Sequence, residues 1–159
     1  MHCASIYHAA GHWPEGKAAG AVTLDFEARY RRRLRFTTDQ GEHVLLNLSH
    51  AVAMADGDAL QLDDGRLLRI QAAVETVVEI RHKDPNQLVR LAWHLGNRHL
   101  PTEIRDQVLC IRPDHVIEEM LHGFGADLVN ERAPFQPEGG AYAGDNLHHK
   151  HGHAGGYHE

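Results

Sequence analysis

Between Val74 and Arg132 the spacing of apolar residues changes from two to about 3.6 and back, twice, and few small folds accept that order. Val74, Thr76, Val78 and Ile80 alternate with Glu75, Glu79 and Arg81, the pattern of a strand with one buried face. Asp84 then offers an N-cap, and Pro85 stands at the first helical position, where a missing N–H costs nothing. Leu88, Leu91, Ala92 and Leu95 supply the helical stripe that Gly96-Asn97 ends. Thr102 to Arg105 and Gln107 to Arg112 are too short and too apolar for helices and read as strands. A second helix runs from Asp114 to His122, stopped by Gly123, with Val116, Ile117, Met120, Leu121 and Phe124 as its buried stripe. Ala126 to Arg132 gives a last strand. The order β-α-β-β-α-β predicts a ferredoxin-like domain, an antiparallel sheet with both helices on one face.

The preceding stretch follows another rule. Val22, Leu24, Phe26 and Ala28 alternate with polar residues, and Leu34 and Phe36 resume the alternation after a run of arginines. Asp39-Gln-Gly41, Asp56-Gly57 and Asp63-Asp-Gly65 are turn signals that separate His43 to Leu48, Ala59 to Leu62 and Arg66 to Ala72. Residues 21–72 therefore read as a small N-terminal β domain, and residues 73–133 as the second domain of a two-domain α+β chain. Residues 1–20 hold His2, His8, His12, Trp13 and Pro14 without a sustained period and read as a loosely ordered lead-in. Residues 134–159, punctuated by Pro134, Pro137 and six glycines from Gly139 to Gly156, read as a flexible tail.

Fifteen histidines stand out, five of them in the last twelve positions. A net charge of −6 suits a collector of cations and argues against general nucleic-acid binding. The chain has no apolar run of membrane-spanning length and no signal-peptide pattern, so a cytoplasmic location is expected. Cys3 and Cys110 form no disulfide framework, and Cys110, between Leu109 and Ile111, reads as a small buried hydrophobe. Arg29, Arg31, Arg32, Arg33 and Arg35 cannot all share one strand face; they are either a solvated strand and turn or a docking patch for an acidic partner.

The polar face of the second helix carries His115, Glu118, Glu119 and His122. At the first turn the helix dipole disfavours imidazolium, and neutral imidazole is the form that binds metal. His115 is a metal ligand or an ordinary solvated histidine on this evidence alone. Near the end, His149, His151 and His153 have the i, i+2 spacing that lets neighbouring rings reach one ion, and an affinity tag would be an unbroken run. Imidazole suits nickel, zinc and copper, and intrinsic affinity places copper above nickel, so spacing does not choose the metal. His122 lies two turns from His115, roughly 10 Å along the axis, too far to share an ion within one chain.

Four pieces occur in order: His94-Leu-Gly-Asn-Arg-His-Leu-Pro101, Asp114-His115-Val116, Gly139-Gly-Ala-Tyr142 and the histidine-rich end. Together, over roughly Val22 to Glu159, they resemble the UreE family, the nickel metallochaperones of urease maturation. The resemblance implies a homodimer through the C-terminal domain, whose two copies of His115 meet on a two-fold axis to hold one metal ion. His148, His149, His151, His153 and His158 would add ligands from the tail, and zinc or copper could take the same sites. It implies delivery of nickel to apo-urease, an N-terminal domain that contacts protein or peptide partners, and engagement of the accessory GTPase UreG, with no nucleic acid or membrane as partner. His94 and His99 are expected to orient the fold, with support of the metal from behind its ligands as the alternative. Val129 and Glu131 stand in the last strand, so no additional histidine pair is expected there.

Two other classes compete. A histidine-rich metal store explains the tail but not two ordered domains. A zinc-dependent hydrolase would need His-Glu-x-x-His or His-x-x-Glu-His, and His115-Val-Ile-Glu-Glu119 is neither, so no catalytic residue is assigned.

Overall fold

A computed structural model describes residues 1–139. Its strands form two sheets, the first from residues before Ala73 and the second from residues after it. The first contains β1 (His2–His8), β2 (Gly20–Leu24), β3 (Arg33–Thr37), β4 (His43–Asn47), β5 (Ala59–Leu62) and β6 (Leu67–Ala72), in the order β2-β6-β5-β1-β4-β3. Val22, Val44, Leu46, Leu60, Leu68 and Ile70 build its core. At the β5–β6 turn Gly65 has φ of 91°, a conformation that side chains with a Cβ resist.

Two expectations for this part fail. The first eight residues are not a loose lead-in, because β1 lies inside the sheet, parallel to β4 and antiparallel to β5. Trp13 is also anchored, its indole N–H donating to the Gly57 carbonyl at 3.0 Å. The strand predicted through Ala28 ends at Leu24: Asp25 accepts a hydrogen bond from the Ala28 amide and starts the short helix α1 (Phe26–Arg29). Phe26 and Arg29, three apart, thereby turn towards the second sheet, which strand alternation would have forbidden.

The second domain comprises β7 (Val74–Arg81), α2 (Pro85–Asn97), β8 (Glu103–Arg105), β9 (Val108–Ile111), α3 (His115–Gly123) and β10 (Asp127–Pro134). The sheet order is β10-β7-β9-β8 and every neighbouring pair is antiparallel. Asp84 caps α2 by accepting from the Asn86 amide, as its place before Pro85 requires. Leu91 and Leu95 from α2 and Leu121 from α3 pack on Val78, Ile80, Leu109 and Ile111, so both helices cover the same face. On the opposite face Val77, Cys110 and Phe135 pack with Phe26 of α1.

The apolar pattern overstated two buried faces. Val74 is exposed, for it pairs with Pro134 at an end of β7 that β9 does not reach; β9 pairs only with Val78 to Ile80. Val116 is 72% exposed and Phe124 43%. The buried stripe of α3 is Ile117, Met120 and Leu121, and Val116 sits one residue, or about 100°, off it. Phe124 is the C-cap, where the backbone has left the helical course.

Candidate functional site

Asp114 and Glu118 fasten the start of α3 reciprocally. The Asp114 carboxylate accepts from the Ile117 amide at 3.1 Å, and the Glu118 carboxylate accepts from the Asp114 amide at 2.9 Å. Two otherwise unpaired N–H groups are satisfied, and the first helical residue, His115, is held in a defined place. Its side chain is 87% exposed, with Nε2 3.5 Å from a Glu119 carboxylate oxygen. Glu118 therefore serves the backbone, and Glu119 is the carboxylate beside the ring. Leu121, fully buried, anchors the far half of the helix.

This arrangement presents one imidazole on a rigid support with an open approach. A divalent transition metal takes four or more donors, so His115 and Glu119 leave a coordination sphere to be completed from elsewhere. A cleft lined by Glu75, Leu100, Pro101, Arg112, Pro113 and Asp114 adjoins the cap.

Of the other histidines near α3, His82 and His94 have their rings engaged. His94 is half-buried, stacked on Phe124 and met edge-on by Trp93. His82 accepts from the Asp84 amide through Nδ1 at 3.0 Å and has Nε2 3.2 Å from the Phe124 carbonyl, so both ring nitrogens hold backbone. His99 has φ of 57° and its amide donates to the Gly96 carbonyl, closing the end of α2. His122 is exposed in the last turn of α3. His148, His149, His151, His153 and His158 lie outside the described residues.

Among the described residues, His2, Asp63 and Asp64 bring three possible ligand atoms within 4.8 Å of one another. Sequence spacing gave no sign of this, because β1 meets the β5–β6 turn only in the folded sheet. Arg66 already bonds Asp64 at 2.7 Å and Glu42 at 2.7 Å, and His2 bonds Asp63 at 2.7 Å. His2 holds the Asp63 carboxyl below its ordinary range, and Arg66 does the same for Glu42. The group works as an ion-pair cluster joining β1 to the turn. The arginine run divides: Arg33 and Arg35 are exposed on β3, whereas Arg29 is 2% exposed between the two sheets.

Comparison with known proteins accounts for nearly the whole chain. Residues 5–73 match the UreE urease accessory protein N-terminal domain, and residues 75–159 match the UreE urease accessory protein C-terminal domain. The chain belongs to the UreE family. The urease accessory protein UreE of Rhodopseudomonas palustris (strain HaA2) is 56% identical over 140 residues, covering 88% of this chain and 65% of that protein. The chain thus spans just under two-thirds of that relative's length. The UreE of Beijerinckia indica is 51% identical over 142 residues, covering 89% of this chain and 82% of that protein. For Chelativorans sp. (strain BNC1) the figures are 44% over 146 residues, 90% and 92%. UreE is a family of accessory proteins, not of enzymes. No helix among the described residues is long and apolar enough to cross a membrane.

Proposed function

We propose that this protein is a cytoplasmic nickel metallochaperone that delivers its cargo to apo-urease, working as a homodimer whose two His115 rings hold one ion. The observation that carries the reading is the setting of His115: a capped, anchored helix start, an 87% exposed ring and one carboxylate 3.5 Å away. A two-fold axis beside that position would duplicate each donor at once. Val116, 72% exposed next to His115, supplies apolar surface that a second copy would cover.

Family membership supports nickel as cargo and urease assembly as its destination; zinc or copper can occupy the same donors. The ferredoxin-like reading of residues 73–133 draws support from the sheet order β10-β7-β9-β8 with both helices on one face. The flexible tail expected from Pro134 does not begin there, because Pro134 ends β10 and Phe135 is buried. In this reading His148, His149, His151, His153 and His158, beyond Gly139, complete the coordination sphere, and residues 21–72 with the strand before them meet protein partners, including the complex with the GTPase UreG. A site with one fixed donor per subunit can open by losing its remaining ligands, as delivery requires, whereas a structural zinc site is closed by four fixed ones.

The test compares His115→Ala with deletion of residues 146–159 in reconstituted urease activation. His115→Ala should leave the dimer intact by light scattering and abolish delivery; the deletion should lower the number of ions bound and impair delivery chiefly when nickel is scarce. Normal activation at low nickel by His115→Ala, with failure of the deletion, would overturn the assignment. Tight nickel binding by the unaltered protein without transfer to apo-urease would make it a store.

A further inference from the structure

The chain runs on from Gly139 to the histidines that begin at His148, so whatever holds the residues before Gly139 decides where the segment leading to them leaves the fold. Phe135 is fully buried, its ring edge-on to Phe26 with centroids 5.3 Å apart, and its carbonyl accepts from the Arg29 guanidinium. The Gln136 side-chain oxygen accepts from Arg29 at 2.9 Å and from the Asp56 amide at 3.1 Å. On the other side, the Gln136 amide donates to Glu103 at 3.0 Å and the Glu138 amide to the Thr102 carbonyl at 2.8 Å. Residues 135–138 are thus stitched to α1 and the loop before β5 on one flank and to β8 on the other. Thr102 follows Pro101, which lines the cleft beside the Asp114 cap together with Asp114 itself.

Arg29 is an expensive way to fill this space. It also donates to the Met54 carbonyl at 3.2 Å, yet its Nε–H has no partner among the described residues. An apolar side chain of similar volume would avoid the desolvation of a charge. What a guanidinium adds is a rigid fork that fixes acceptors from two distant segments at once.

We infer that Arg29 is a positioning residue: it holds residues 135–138 in the groove between the domains, so that the chain leading to the histidines leaves the described fold at a set place relative to His115. Tethering a second set of ligands raises their effective concentration at the first, and that gain depends on where the tether starts. The metal-binding half of this inference rests on the proposed roles of His115 and the tail; the geometric half does not.

The test uses the full chain and two substitutions, Arg29→Met and Gln136→Leu, the second removing a half-buried acceptor while the guanidinium itself stays in place. In hydrogen exchange, the Gln136 and Glu138 amides should lose protection in both variants while those of β6 and β7 keep theirs. Nickel affinity should fall roughly tenfold at unchanged stoichiometry, and the difference should vanish when residues 146–159 are deleted from variant and parent alike. Retained protection at Gln136 and Glu138 in both variants would overturn the inference, as would an equal loss of affinity with and without residues 146–159. If deleting those residues leaves nickel affinity unchanged in the parent, the proposed tail role fails, and the exchange pattern still decides whether Arg29 is the latch.

Discussion

His94 lies flat against Phe124, with ring centroids 5.0 Å apart and planes 19° from parallel. The stack ties the last turn of α2 to the C-cap of the helix that begins at His115. His94→Ala should therefore cost about 1 kcal/mol, seen as a lower urea midpoint, and leave the number of nickel ions bound per chain unchanged. Loss of a bound ion with no change in midpoint would make His94 a ligand instead of a brace.

Arg105 gathers three carboxylates on the sheet face opposite the helices: Glu131 at 2.7 Å, Glu103 at 3.1 Å and Glu79 at 3.9 Å. Glu131→Gln removes one charge from a partly solvated group while keeping an acceptor oxygen, and should cost less than about 1 kcal/mol. Arg105→Met leaves the three acids facing one another and should cost more. Added salt should narrow the gap between the two variants by screening that repulsion, as denaturant titrations at low and high ionic strength would reveal. Equal losses at all salt concentrations would mean that the Arg105 stem, not its charge, does the stabilising.

Cys110 is fully buried in the middle of β9, and burial pushes its thiol up to about 11 from an ordinary 9.0. The folded state holds this proton more tightly than the unfolded chain. Its contribution to stability is therefore complete below about pH 9 and is lost as pH rises through about 11. Iodoacetamide at pH 8 should give a single adduct on the half-exposed Cys3, with Cys110 reacting only as fast as the second domain unfolds. Rapid labelling of Cys110 in the native protein, read by peptide mass, would contradict the packing of this face.

Regular segments were legible from the sequence because their signals are local. Asp84 with Pro85, and Asp114 ahead of a four-spaced apolar stripe, mark the starts of α2 and α3 through the side chains that cap them. Gly57 and Gly65 bracket β5 because the turns on either side need left-handed backbone. What stayed hidden depends on distant residues. Only Ala4 is buried among the seven residues of β1, so no period marks it, and its partners Val44 to Leu46 lie 42 positions on. In α1, a four-residue helix, Phe26 and Ala28 fit strand alternation as well as a helical turn. Arg29 looked like one member of a solvated run, because its acceptors at Phe135 and Gln136 are 106 and 107 residues away. At the candidate site the place of His115 could be read from its cap, but the division of labour between Glu118 and Glu119 required the side-chain geometry.

That division leads to a prediction about how the site is kept ready. α3 has nine residues, too few to hold its form in isolation, and its core contacts, from Ile117, Met120 and Leu121, begin only at the third residue. The first turn, which carries His115, depends on the Asp114 cap. Asp114→Ala should cost about 1 kcal/mol and fray that turn, so nickel binding should weaken although His115 itself is untouched. Asp114→Asn keeps a good capping oxygen and removes the charge, and it should stay close to the parent in denaturant midpoint. Nickel titrations of the two variants then separate the mechanisms. If affinity falls only in Asp114→Ala, the cap acts by holding His115 in place; if both lose affinity equally, the carboxylate charge near the ion is what matters. Unchanged nickel affinity in Asp114→Ala, alongside the expected loss of stability, would show that the ring needs no fixed helix turn beneath it.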